Sequence, residues 1–323
     1  MATLLIDRKD VELRHEGGRL LIYESGRRSG SIPVAQLDRV VIQNRTLIDS
    51  GVLGLLAEQG VGLVVLTPRR TARIAHLPGR GHNDVARRIG QYRRFCDPLW
   101  RARWSRMLVR HKLRAQRRLL SHALERRPDQ RRVLKQATGS LEQRLHSLSG
   151  MSEPDRQTLM GVEGAAAVAY FKGLAALFPS SLGFVGRNRR PPRDPVNACL
   201  SLGYTLIHTE AIFQLHGAGL DPLLGFYHDP SFGRDSLASD LIEPLRPWID
   251  DRVWWLFRQR RLTVDHFFRD GEACLLNKAG RKVFFQTWAS GVDVPQRLLR
   301  RWARRLARTL SEPPGDGGER CPR

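Results

Sequence analysis

Apolar positions recur with two periods along this chain, and the period changes near residue 80. Before that point the runs are short and extended in character. They predict strands over Leu4–Ile6, Val11–Leu13, Leu20–Tyr23 and Ser31–Val34, punctuated by Gly17-Gly18 and Gly26. Val40–Ile42 and Gly62–Leu66 are continuously apolar and β-branched, the pattern of buried strands. Between them, Ser50–Gln59 places Leu53, Leu56 and Ala57 on one helical face, and Gly60 stops it. Pro68 closes this half.

The stretch from Leu77-Pro78-Gly79 to Asn83 is basic and glycine-containing, and it predicts a linker. Beyond it the period is that of a helix. Helices are expected over 84–95, 98–125, 129–150, 153–178, 194–216, 236–243, 248–260 and 295–310. Asp194 and Pro195 read as the cap and first residue of one of them. The expected fold is therefore α+β: a small β-rich domain over 1–76, a linker over 77–86, and a larger all-α domain over 87–310. The Pro- and Gly-rich tail, 311–323, is expected to be disordered. No internal repeat is visible.

Charge changes the picture from fold to function. The 323 residues carry 54 Lys and Arg against 32 Asp and Glu, a formal charge of +22 and a pI near 11.2. Self-repulsion on that scale points to a polyanionic partner, nucleic acid first. A basic proteome that favours Arg, or an anionic membrane surface, would give a similar balance. Between Arg80 and Arg144 lie nineteen Lys or Arg and five Asp or Glu, with Trp100 and Trp104 among them. A second basic run, Arg297, Arg300, Arg301, Arg304, Arg305 and Arg308, shares one helix with Leu298, Leu299, Trp302 and Leu306. Taken alone, that helix suits a membrane surface. No apolar run reaches the roughly 20 residues of a membrane span, and the charged N-terminus lacks a signal-peptide core. The scattered Cys96, Cys199, Cys274 and Cys321 form no zinc or disulfide pattern. A soluble, cytoplasmic protein is expected.

Three stretches carry candidate chemistry. Glu163 is the only charge in Leu159–Phe171, among Gly161, Gly164 and alanines that would let another helix approach closely. A carboxylate there needs a cation, either a metal or an arginine. His228 lies at a turn before Asp229-Pro230, and Asp240 and Glu243 are three apart, on one side of a helix. An imidazole with carboxylates suits Mg²⁺ or Mn²⁺; solvent-facing polar positions are the plainer alternative. Pro244 disfavours helical backbone at Glu243. The third stretch, Gly186–Asn197, has arginines that would either clamp phosphates or form an ordinary basic loop. No GxxxxGK[ST], GxSxG or HExxH is present.

Met160-Gly161-Val162-Glu163-Gly164-Ala165-Ala166 resembles the glutamate motif of the CRISPR-associated Cas-one integrases. Pro191-Pro192, Asp194-Pro195-Val196-Asn197 and Leu200-Ser201-Leu202-Gly203-Tyr204 resemble the central motif of that family. Gly225-Phe226-Tyr227-His228 and 236–247 resemble its third block. Leu56-Ala57-Glu58-Gln59-Gly60-Val61 and Arg88-Ile89-Gly90-Gln91-Tyr92 agree as well. The likeness spans roughly residues 1–290.

The resemblance implies a homodimer that assembles with a small CRISPR-associated partner protein on double-stranded DNA, both a fragment and a CRISPR repeat. It implies that Glu163, His228 and Glu243 bind Mg²⁺ or Mn²⁺, with Asp240 assisting. It implies that a 3′-hydroxyl of a short DNA fragment attacks a repeat phosphodiester, inserting a new spacer. Arg117, Arg118, Arg187, Arg190 and Arg246 are the expected DNA-backbone contacts. Two other readings stand beside it. One is a metal-dependent nuclease acting on branched DNA in repair. The other is a non-catalytic DNA-binding scaffold with Glu163 and Asp240 in structural ion pairs.

Overall fold

The computed structural model describes residues 2–66, 73–77, 79, 82–188 and 191–311. Pro68, residues 78, 80 and 81 of the expected linker, Arg190 and the tail from residue 312 lie outside the described residues.

Two four-stranded sheets fill the N-terminal half. One joins β1 (Ala2–Ile6), β5 (Leu37–Ile42), β7 (Gly62–Leu66) and β8 (Arg73–Leu77), side by side in that order. The other joins β4 (Arg27–Pro33), β3 (Arg19–Glu24), β2 (Val11–Glu16) and β6 (Thr46–Ile48) in that order. Helix α1 (Ser50–Glu58) is capped by Asp49, which accepts from Gly51 N. Strands β1, β5 and β7 pair in parallel, which explains their unbroken apolar runs: both faces are covered. Val40, Ile42 and Leu63 face a small core with Leu13, Leu20 and Leu56. Val41, Val64 and Leu66 point the other way, into the core of the helical half. Strands β6 and β8 are not legible in the sequence. The first is three residues long, and the second, Arg-Ile-Ala-His-Leu, pairs only on one side.

The rest is mainly helical: α2 (Val85–Phe95), α3 (Pro98–Arg126), α4 (Arg131–Gly150), α5 (Arg156–Ala175), α6 (Pro195–Gly217), α7 (Ser236–Ile242), α8 (Arg246–Arg258), α9 (Lys278–Ala289) and α10 (Asp293–Ser311). Asp84, Asp97, Asp155 and Asp194 each accept a hydrogen bond from the first turn of their helix, and Pro98 and Pro195 occupy first positions. Helix α6 is buried almost all round, from Val196 to Leu215, and the other helices pack about it.

The structure corrects the sequence in four places. The hairpin β9 (Phe267–Asp270) and β10 (Ala273–Leu276), and helix α9 behind it, interrupt the expected all-α pattern. Their apolar runs are four residues or shorter, too brief to show a period. Close helix approach occurs at Gly173, where an added Cβ would lie 2.9 Å from Ala137 Cβ. Gly161 and Gly164, expected to do this, have nothing within 4 Å of that position and leave the face beside Glu163 open. Glu243 keeps right-handed helical backbone (φ −53°, ψ −44°) despite Pro244, because a 3-10 turn over Glu243–Leu245 links α7 to α8. Finally, the apolar face of α10 (Leu299, Ala303, Leu306, Ala307, Leu310) is buried in the core, against α2 and α6. Gly90 allows the approach, since a Cβ there would sit 1.7 Å from the Leu310 carbonyl oxygen. That face is therefore not available to a membrane, and among the described residues no helix is long and apolar enough to cross one.

Candidate active site

The site is built on the segment Gly225–Asp229. Gly225 is required there, because a Cβ would lie 2.7–2.8 Å from the Ser236 backbone and the His228 carbonyl. Phe226 anchors the segment between Trp100 and Trp104 of α3, with ring centroids 4.7 and 5.1 Å away. Trp104 is thus a core residue rather than a platform for bases. Arg101 donates to the Phe226 carbonyl at 3.1 Å, and Arg156 donates to the Tyr227 carbonyl at 3.0 Å. Both also pair with Asp229.

Asp240, fully buried on α7, closes the segment from beneath. Its Oδ2 accepts from the backbone N–H of Phe226 (2.8 Å) and Tyr227 (3.0 Å). Its Oδ1 accepts from His228 N (3.0 Å) and lies 2.6 Å from His228 Nδ1. Both oxygens are committed, so Asp240 has none to spare for a cation. A carboxylate surrounded by donors also fixes the imidazole tautomer: Nδ1 carries the proton and Nε2 keeps its lone pair. Nε2 has no hydrogen-bond partner among the described residues.

Glu163 on α5 and Glu243 are brought together by α3. Lys112 Nζ contacts Glu163 Oε1 and lies 2.5 Å from Glu243 Oε2. The second oxygen of each carboxylate is held elsewhere. Tyr227 OH donates to Glu163 Oε2, and Arg246 Nε donates to Glu243 Oε1 at 2.9 Å. Burial works against charge on Glu243, but Arg246 and Lys112 outweigh it and hold this carboxyl well below its usual range. Burial likewise opposes the Lys112 charge, and Glu243 and Glu163 override it and raise its pKa.

These residues suit a hard divalent cation in type: two carboxylates and an imidazole with a free lone pair. Glu243 Oε2 is buried, and its partner is the Lys112 ammonium 2.5 Å away. As the side chains stand, no three His, Cys, Asp or Glu groups among the described residues converge closely enough to hold an ion together. The Lys112 ammonium is the group that contacts both glutamates.

The expected DNA contacts divide. Arg246 is turned inward to Glu243 and lies 4.6 Å over the Tyr204 ring. Arg187 donates to Asn197 Oδ1 (2.7 Å) and Ser201 Oγ (3.0 Å), tying its loop to α6. Arg117 pairs with Glu142, and Arg118 is exposed; both are on α3 but off the Lys112 face. Arg190 lies outside the described residues.

Lys112 and the Tyr227 hydroxyl are site groups that the motif pattern does not single out. A compositional signal for Lys112 exists, since the chain has six lysines against forty-eight arginines.

Behind Arg246, Asp250 of α8 is buried and accepts from Tyr170 OH (2.5 Å) and from Tyr204 OH. Burial raises its pKa to about 6, against the opposing hydrogen bonds of Tyr170 and Tyr204. Between the ordinary 3.8 and about 6 the folded chain holds a proton that the unfolded chain releases. This group's contribution to stability is therefore full below 3.8 and falls as pH rises through about 6, by on the order of 2–3 kcal/mol in all. Asp250→Asn is expected to flatten the dependence of melting temperature on pH between 4 and 6. An unchanged slope in thermal melts of the variant would remove Asp250 as its source.

A family model, CRISPR associated protein Cas1, matches residues 4–290. The chain is 36% identical over 316 residues to a protein of Thermodesulfovibrio yellowstonii named CRISPR-associated endonuclease Cas1 1, covering 97% of this chain and 98% of that one. Among solved structures, a casposase bound to integration product superposes with a TM-score of 0.84 at 19% identity, covering 96% of this chain and 91% of that one. A chain of a Cas6-RT-Cas1–Cas2 complex superposes with a TM-score of 0.79 at 21% identity, covering 96% of this chain and 35% of that one.

Proposed function

This chain belongs to the CRISPR-associated protein Cas1 family, and on that premise we propose that it is a metal-dependent integrase that joins short DNA fragments into a CRISPR array. The observation that carries this reading is that Glu163 and Glu243 are brought to one ammonium, Lys112, beside the open face at Gly161 and Gly164, while Asp240 holds the His228 imidazole through Nδ1.

Glu163, Glu243 and His228 would hold Mg²⁺ or Mn²⁺. When bound, such an ion supplies positive charge that polarises a phosphate and eases ionisation of a hydroxyl. The chain's own groups provide the rest. Asp240 orients His228, Tyr227 pins Glu163, and Arg246 pins Glu243. In the joining step a DNA 3′-oxygen forms a bond to a repeat phosphorus, the bond to the neighbouring strand oxygen breaks, and the proton of the attacking hydroxyl ends on the leaving one. One phosphodiester replaces another, so no nucleotide triphosphate is consumed. The open strip at Gly161 and Gly164 leaves room for a DNA backbone beside Glu163.

Charge distribution supports a DNA path on the helical half. Residues 1–76 carry eight acidic and eleven basic side chains, so +19 of the +22 lies beyond them. Exposed Arg301, Arg304, Arg305 and Arg308 of α10 and Arg118 of α3 belong to that excess. One structural neighbour is a chain of a Cas6-RT-Cas1–Cas2 complex, which supports assembly with a small Cas2-type partner, and a homodimer is proposed from the family resemblance.

The test combines purified protein, such a partner, a short DNA duplex and a supercoiled repeat plasmid, with Mn²⁺ or with chelator. Covalent joining that needs the metal is expected. Nicking without joining would favour the branched-DNA nuclease, and tight binding without any cleavage would favour the scaffold.

A further inference from the structure

Two carboxylates in the site each have one oxygen already engaged: Glu163 Oε2 by the Tyr227 hydroxyl and Glu243 Oε1 by Arg246. The remaining two, Glu163 Oε1 and Glu243 Oε2, both contact the Lys112 ammonium. The oxygens open to a cation are thus the ones a tethered cation touches. We propose that Lys112 competes with the divalent ion for Glu163 and Glu243, and so sets how much metal the site requires.

This inference rests on the metal reading above. An ion held by those oxygens would meet a positive charge at contact distance, with Lys112 only 13% exposed and little water to screen it. Lysine suits the role because its ammonium is compact and close to a point charge, whereas a planar guanidinium would need more room between the two glutamates. Its occurrence here, in a chain that uses arginine eight times as often, fits that requirement. Competition of this kind is reciprocal: metal must loosen the lysine by the same factor as the lysine weakens the metal.

The full-length chain would be titrated with Mn²⁺, with the free ion followed by electron paramagnetic resonance, for wild type, Lys112→Met and Glu163→Gln. Lys112→Met is expected to bind Mn²⁺ about tenfold more tightly than wild type, and Glu163→Gln more weakly. In parallel, wild type would be acetylated with and without saturating Mn²⁺ and its lysines read by mass spectrometry. Lys112 labelling is expected to rise with metal, while exposed Lys9 stays constant as the internal control. Unchanged or weaker binding in Lys112→Met, beside intact Glu163-dependent binding in wild type, would overturn the competition and leave the metal reading standing. Absence of Glu163-dependent binding in both proteins would overturn the metal reading and the competition with it. If Lys112→Met does not fold, the wild-type footprint decides: Lys112 labelling indifferent to Mn²⁺ overturns the proposal.

Discussion

Asp240→Ala is expected to lower DNA joining by about a hundredfold and to destabilise the fold by about 3–5 kcal/mol. The carboxylate accepts four hydrogen bonds from three consecutive residues, Phe226, Tyr227 and His228, at a fully buried position. Removing it leaves three backbone N–H groups and an imidazole N–H without partners, and each unsatisfied buried donor costs about 1–3 kcal/mol before relaxation. Asp240→Asn separates position from proton placement. Asparagine fills the same space, and one of its two groups still accepts, so the loss of stability should be smaller. Its amide N–H₂, however, can donate to His228 Nδ1, which moves the imidazole proton to Nε2 and removes the lone pair. Joining should therefore fall as far in Asp240→Asn as in Asp240→Ala, despite better folding. Thermal melts and joining rates measured together check this. An Asp240→Asn protein with wild-type joining would show that the tautomer of His228 does not matter.

Glu210→Ala is the second large effect, and it acts through contacts that the site residues do not share. Arg39 on β5 reaches across to Glu210 on α6, with both side chains buried. The guanidinium also lies 4.4 Å over the Phe213 ring. Gln214 (2.8 Å) and Gln296 of α10 (3.0 Å) donate to the same carboxylate. Burial alone would raise the Glu210 pKa, but Arg39 outweighs it and lowers it. One cluster therefore ties the N-terminal sheet, the central helix and the C-terminal helix together. Truncating Glu210 leaves the Arg39 charge buried without a counter-ion, which is expected to cost about 3–5 kcal/mol in urea unfolding. The double variant Arg39→Met/Glu210→Leu should recover most of that loss, because no bare charge remains. A cost below about 1 kcal/mol for Glu210→Ala would mean that water reaches Arg39 and that the halves are not coupled through this pair.

Much of the architecture is written in local pattern. The continuous apolar runs of Val40–Ile42 and Gly62–Leu66 emerge as strands covered on both faces. Asp194-Pro195 starts α6 as its residue types require. Both are visible because a strand's period of two, a helix's period of 3.6 and a cap's hydrogen bond involve residues only a few positions apart. Short elements escape for the same reason: β6, β8 and the β9–β10 hairpin are too brief to display a period.

The site divides along the same line. Glu163, His228, Asp240 and Glu243 stand out by residue type and by the family motifs around them. What each does is a matter of contact. Asp240 becomes the carboxylate that orients His228 because α7 lies beneath the 225–229 segment. Glu163 and Glu243 share Lys112 because α3 passes both. Arg246 and Arg187, expected on DNA, are drawn inward by Glu243, Tyr204 and Asn197. Residue types and short-range periodicity fix which chemistry is present and where the longer helices and strands lie. Which charge meets which is settled by packing, because partners such as Lys112 and Glu163, 51 residues apart, or Arg39 and Glu210, 171 apart, meet only in the folded chain, and no local pattern records it.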